Sequence, residues 1–210
     1  EFNGQSLTVT WDVSDDLTIK SISGYRELDT RYYQDYMNAA FVVFGYQSDD
    51  EITSRQWSQE FQFVGSALDN RLEYVAGLYL FNETASHYQE LNVGGAILDR
   101  DVDNENDSAA AYAQASYTPD ILEDKLTVTA GLRYTEDDRK GVRNSMSSFE
   151  TNIKNDQSYD SVDPMLTVSY QINDDMSAYA KMVTAYKSGG FAEASSDFTI
   201  AYDPEEITSF

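Results

Sequence analysis

The feature that most constrains this chain is a side-chain period of two that returns in segment after segment. In LTVTAGLRY, Leu126, Val128, Ala130, Leu132 and Tyr134 share one parity, while Thr127, Thr129, Gly131 and Arg133 share the other. Successive side chains of a β-strand point to opposite faces, so such a segment gives a strand with one apolar and one polar face. The same split sets Leu7, Val9, Trp11 and Val13 against Thr8, Thr10 and Asp12, and Leu72, Tyr74, Ala76, Leu78 and Leu80 against Glu73. Lys20, Arg26, Glu60, Lys181 and Lys187 fall on the polar parity of their own segments, as expected if that face meets water. Aromatics make up 13% of the chain, 16 of them Tyr, against only 3 Pro, which leans the same way. No helical stripe of useful length competes.

The turns between these strands follow a second pattern. Short turn signals stand at Ser14 to Asp16, Gly65 to Asn70, Thr118 to Asp124 and Ile172 to Asp175, each between two alternating runs. They predict hairpins centred near Asp15, Leu68, Ile121 and Asn173. Between the hairpins lie polar stretches, Glu27 to Gln56, Glu83 to Ser108, Asp137 to Asp160 and Ser188 onward, which read as long loops. Short and long connections alternating in this way match a membrane barrel, with short turns on one side and long loops on the other.

A soluble β-sandwich also alternates apolar and polar residues, so parity alone leaves both architectures open. Aromatic placement separates them. Trp11, Phe63, Tyr117 and Tyr170 each sit on the apolar parity close to a short turn, one per hairpin. A barrel wants such amphipathic rings where hydrocarbon meets headgroups. Tyr25, Tyr134 and Tyr186 stand about 9 to 11 residues from the turns, the length a tilted strand needs to cross, and are expected to form the opposite girdle. The mean hydropathy of -0.53 does not argue against a membrane, because alternating strands average out.

Charge and composition exclude other classes. With 14 Lys+Arg against 37 Asp+Glu, a formal charge of -23 repels phosphate backbones, so no nucleic-acid partner is expected. The absence of cysteine removes disulfides and thiolate chemistry. The opening EFNGQSLTVTW has neither a charged region nor an apolar run, so a signal peptide is expected in upstream sequence.

Several blocks then resemble one family, the barrel region of TonB-dependent outer-membrane receptors. These are WSQEFQF from Trp57, YVAGLYLFNE from Tyr74, AYAQASYTP from Ala111 and KLTVTAGLRYTEDDRK from Lys125. Most specific is DPMLTVSYQINDDMSAYAKMVTAYKSGGF, Asp163 to Phe191, followed by YDPEEITSF. The resemblance implies an all-β fold, an antiparallel up-and-down transmembrane β-barrel segment belonging to a 22-stranded plugged barrel. Residues 1–210 would form part of the barrel domain, roughly eight strands and the approach to a ninth, with the plug and its TonB-contact segment absent. The function implied is uptake, not catalysis: a receptor in the bacterial outer membrane for a scarce small-molecule ligand such as a ferric siderophore. Its partners would be outer-membrane lipid and, through the missing N-terminal segment, the TonB complex, with no cofactor. A passive or structural outer-membrane barrel and a soluble carbohydrate-binding β-sandwich are the alternatives.

No residue is assigned a catalytic, metal or ligand-binding role. Asp99, Asp101 and Asp103 alternate as in a calcium loop, but Asn104 and Ala110 stand where an EF-hand needs Gly and a bidentate Glu, so a solvated acidic loop is expected. His87, the only histidine, reads as the start of a long loop with no partner cluster. The aromatic stretch Tyr32 to Gln47 is expected to pack within its own loop, with ligand contact as the alternative. Gly189 and Gly190 are expected to make a tight turn.

Overall fold

A computed structural model of the chain describes residues 1–36, 45–147 and 151–210. Nine strands form one antiparallel sheet: β1 (Phe2–Ser14), β2 (Leu17–Asp35), β3 (Tyr46–Ala67), β4 (Leu72–Val93), β5 (Ala96–Tyr117), β6 (Leu126–Met146), β7 (Ile153–Asn173), β8 (Met176–Lys187) and β11 (Glu205–Ser209). Each pairs with its neighbour in sequence, giving the up-and-down meander expected. Between β8 and β11 the chain makes a detour through a two-stranded ribbon, β9 (Gly190–Phe191) with β10 (Ala201–Tyr202). That ribbon is the only other sheet among the described residues, which therefore hold no second layer of the kind a β-sandwich requires.

The ladder register shows how two faces arise. Trp11, Ile19, Phe63, Ala76, Ala113, Leu132 and Pro164 are successive partners across seven strands. One residue away runs the row Thr10, Lys20, Gln62, Gly77, Tyr112, Arg133 and Asp163. Directly paired residues share a face, so the sheet carries an apolar outer face and a polar inner one. Among the described residues nothing covers the outer face at Trp11, Leu78, Leu132 and Val162, each more than half exposed. An apolar surface this continuous is unstable in water and suits hydrocarbon.

The four short hairpins fall where the turn chemistry places them, at Asp15–Asp16, Leu68–Arg71, Thr118–Lys125 and Asp174–Asp175. The long loops do not. Glu27 to Gln56, Glu83 to Ser108 and Asp137 to Asp160 consist mostly of strand, the upper parts of β2 to β7. Gly94 and Gly95 alone join β4 to β5, both with positive φ (61° and 93°), the left-handed conformation that a tight hairpin demands and glycine supplies. β3, β4 and β5 each run 22 residues, whereas about 9 to 11 suffice to cross a membrane. The alternation of apolar and polar residues stops where lipid stops, but backbone pairing continues into water with polar side chains on both faces.

One girdle assignment and one inner-face assignment change accordingly. Tyr25 pairs with Trp57, and with Tyr134 both lie exposed on the outer face, as expected of an upper girdle. Tyr186 does not join them. The alternation slips by one residue late in β8, so Thr184 and Tyr186 turn inward while Ala185 and Lys187 face out. The Tyr186 hydroxyl is buried near Asp137, and Lys187, expected on the wet inner face, instead pairs with Glu205 at 3.7 Å on the exposed edge.

Candidate functional site

Among the described residues, the inner face of the upper wall holds the fully buried side chains Val102, Arg143 and Phe198. Residues 188–204, between β8 and β11, fold back onto it. Phe198 is fully buried, in edge-to-face contact with Phe191 (centroids 5.1 Å) and beneath the Arg143 guanidinium at 5.4 Å. Arg143, itself fully buried on β6, also donates to the Ser195 carbonyl at 2.5 Å. Asn155 on β7 donates to the Phe198 carbonyl at 2.8 Å, and Arg139 on β6 donates to Ser188 Oγ at 2.7 Å. Backbone and aromatic ring are thus both held by side chains of the wall.

Glycines admit this close approach. A Cβ on Gly141 would collide with the Phe191 ring. Gly189 and Gly190 were expected to turn the chain, but neither has a positive φ. A Cβ at Gly189 would strike the Tyr202 backbone and the Tyr159 ring, and one at Gly190 would meet the Tyr202 hydroxyl at 2.7 Å. They are there because a side chain would push the segment off the wall.

His87 lies at the far end of the same surface, and its partners correct the sequence reading. It is not in a loop but in β4, on the inner parity with Tyr79 and Glu83. Its Nε2 is 3.0 Å from Asp50 Oδ1 on β3, and its Nδ1 is 3.0 Å from Glu193 Oε2 in the folded-back segment. Asn104 on β5 donates to Glu193 Oε1 at 2.8 Å, and Arg100 stands 4.0 Å from the same carboxylate. Gln89 donates to Asp50 Oδ1 at 2.7 Å. Burial pushes the Asp50 carboxyl up, but hydrogen bonds from His87, Ser48 and Gln89 outweigh it and hold the group below the usual carboxylate range. No sequence signal announces this cluster, because Asp50, His87, Arg100 and Glu193 are brought together only by strand register and by the fold-back.

A second cluster lies lower on the inner face. The Arg133 guanidinium sits 5.8 Å from the ring centroids of both Tyr79 and Tyr112, and the Tyr112 hydroxyl donates to Glu60 at 2.5 Å. Arg133 is therefore held between aromatic rings and is no free lumen charge.

The acidic run Asp99 to Asp107 is not a loop either. It lies within β5, and Asp103, Glu105 and Asp107 occupy the outer parity. Asp99, Asp103, Glu105 and Asp107 have side-chain partners on neighbouring strands: Ser145 and Ser147 for Asp99, Asn144 and Ser86 for Asp103, Lys140 for Glu105, Asn82 and Lys140 for Asp107. Among the described residues no group of three or more acidic, His or Cys side chains is arranged to hold a metal ion. Of the aromatic stretch Tyr32 to Gln47, Tyr32 to Asp35 extend β2 and Tyr46 and Gln47 begin β3, with Tyr36 packed edge-on against Tyr46 at 4.8 Å. Residues 37–44 lie outside the described residues.

An open, single-layered antiparallel sheet, apolar outside and polar inside, with a segment folded onto the inner face, is the wall of a large transmembrane β-barrel. The chain matches a family model described as TonB dependent receptor-like, beta-barrel, over residues 1–210, and belongs to that family. Solved structures agree in fold. The ferric yersiniabactin uptake receptor FyuA from Yersinia pestis superposes with a TM-score of 0.80 at 17% identity, over 98% of this chain and 31% of that one. The ferric citrate transporter FecA in its unliganded form gives 0.73 at 16% identity, over 88% of this chain and 27% of that one. BauA, the ferric preacinetobactin receptor from Acinetobacter baumannii, gives 0.69 at 14% identity, over 99% and 34%. This chain spans about a third of the length of these structures. No curated protein sequence matches it significantly.

Proposed function

We propose that residues 1–210 are part of the barrel domain of a bacterial outer-membrane receptor that imports a scarce small molecule, a ferric siderophore in the first instance, using energy delivered through TonB. The observation that carries this reading is the division of the sheet. The lower part of its outer face is exposed and apolar, and its inner face carries Glu60, Tyr112 and Arg133 below and cradles a folded-back segment above. A passive pore needs only a wet lumen, whereas a receptor needs a structured surface at its outer mouth. The ferric ligands named for the similar structures favour iron, and the family favours TonB. The plug and the TonB-contact segment belong, on this proposal, to other parts of the full-length protein, and lipid of the outer membrane surrounds the apolar belt.

The test is uptake of a panel of iron-55-labelled ferric siderophores by cells carrying the full-length receptor, with and without a functional TonB. Saturable, TonB-dependent accumulation of at least one member is expected. Accumulation that is non-saturable and independent of TonB would identify a passive barrel instead.

A further inference from the structure

The two ring nitrogens of His87 both face carboxylate oxygens at 3.0 Å, one belonging to the wall (Asp50) and one to the folded-back segment (Glu193). A neutral imidazole has a single N–H, so it donates to one carboxylate and turns a lone pair toward the other. Only the imidazolium donates to both. The bridge from wall to segment is therefore complete in one charge state of one residue. We propose that His87 is a pH-responsive latch that holds residues 188–204 against the barrel wall through Glu193, closed while the ring carries two protons and loosened when it gives one up.

The surroundings decide how far it opens. Tyr32 from β2, Asp50 and Ser48 from β3, Gln89 from β4 itself, Arg100 and Asn104 from β5 and Glu193 from the segment face this site, and Arg143 of β6 lies beyond Val102. The Asp50 carboxylate, nearly inaccessible at 1% exposure, gives the ring a fixed negative partner on the wall side. Arg100 and Asn104 keep some hold on Glu193 whatever the ring does, because their contacts with it do not pass through the imidazole. Phe198 keeps its contacts with Arg143 and Asn155, neither of which involves the ring. The latch thus frees the Glu193 end of the segment while the Phe198 end stays docked. The contact is complete with the doubly protonated ring and broken on one side with the neutral ring.

This inference does not rest on the identity of the ligand, and its readout involves no uptake. Val102, the ladder partner of His87, is fully buried beneath the segment and serves as reporter. In the full-length receptor, maleimide labelling of Val102→Cys is measured from about pH 6 to about pH 8 and divided by that of the exposed Ala96→Cys, which cancels the thiol's own pH dependence. The normalised rate is expected to rise about tenfold across that range, the scale of one lost charge-assisted hydrogen bond. With His87→Gln or Glu193→Ala added, it is expected to be high and flat. A flat profile without those substitutions, or the same rise persisting in His87→Gln, overturns the latch. Should Val102→Cys not assemble, hydrogen exchange in the unsubstituted receptor decides: amides around Glu193 must lose protection with rising pH, after correction for intrinsic exchange, and unchanged protection overturns the proposal.

Discussion

The lower and upper parts of these strands share one hydrogen-bonded ladder and live in two solvents. Below, around Leu78, Ala111 and Leu132, the outer parity is apolar and the inner parity carries Tyr112 and Arg133. Above, the same outer parity carries Thr84, Glu105 and Lys140, and the inner parity becomes the buried one, roofed by residues 188–204. Moving up a single strand, the side that avoids water changes from the outside to the inside. Pairing is therefore no guide to where the membrane lies. The medium beyond each face decides which residues that face must carry.

Substitutions at matched positions test this contrast. The largest effect is expected at Leu132→Arg, which places a cation in mid-bilayer and should cost about 2 to 4 kcal/mol of folding free energy in lipid. Urea titration of vesicle-reconstituted receptor measures it, and a change near zero would move the belt elsewhere. Its neighbour Arg133→Leu should cost only about 0.5 to 2 kcal/mol, from the lost contacts with Tyr79 and Tyr112.

In the upper region the sensitive face should be the inner one. Gly141→Val drives a side chain into the Phe191 ring and is expected to cost about 1 to 3 kcal/mol, concentrated in the docking of 188–204. Faster proteolytic nicking of that segment, with the barrel intact, is the predicted signature; unchanged nicking would show that the segment does not depend on this contact. Asp50 adds a pH dependence of its own. Its carboxyl is held below the ordinary range in the folded state, so it contributes stability that is present at neutral pH and fades as pH falls through and below that range. The stability of the assembled receptor, followed by urea titration at pH values on the acid side of the latch experiment, should fall on acidification in the native protein, and Asp50→Asn should lose that part of the dependence. The smallest effect is expected at Thr84→Arg. This exposed outer position between Arg55 and Glu105 should tolerate a charge within about 0.5 kcal/mol, and a penalty like that at Leu132 would place the upper wall in lipid.

Much of the lower region is legible in the residue order. The parity of Leu126 to Tyr134 gives a strand and its faces, and SDD, GSALDN, TPDILED and INDD mark the four short turns. From sequence the upper region reads as loop, because its sign of strand formation is weak. Asp99 to Asp107 is acidic and lacks the apolar alternation by which strands are recognised, yet it pairs residue by residue with β4. Polar side chains on both faces give no amphipathic signal, while backbone pairing needs none. The reversal of Tyr186 and Lys187 depends on a one-residue slip in β8, which flips every later side chain.

The sequence by itself determined the period of two, the positions of the short turns and the composition of the apolar belt, because these follow from backbone geometry and from transfer of side chains into hydrocarbon. Both act within a few residues of chain. Only the tertiary structure decided that His87 meets Asp50 and Glu193, that Phe198 is buried, and that Gly189 and Gly190 are places of contact instead of turns. Glu193 is more than a hundred residues from His87, with a separation of 106. What brings them together is the sum of strand registers across the wall and the path of one returning segment, and no local pattern of residues records that sum.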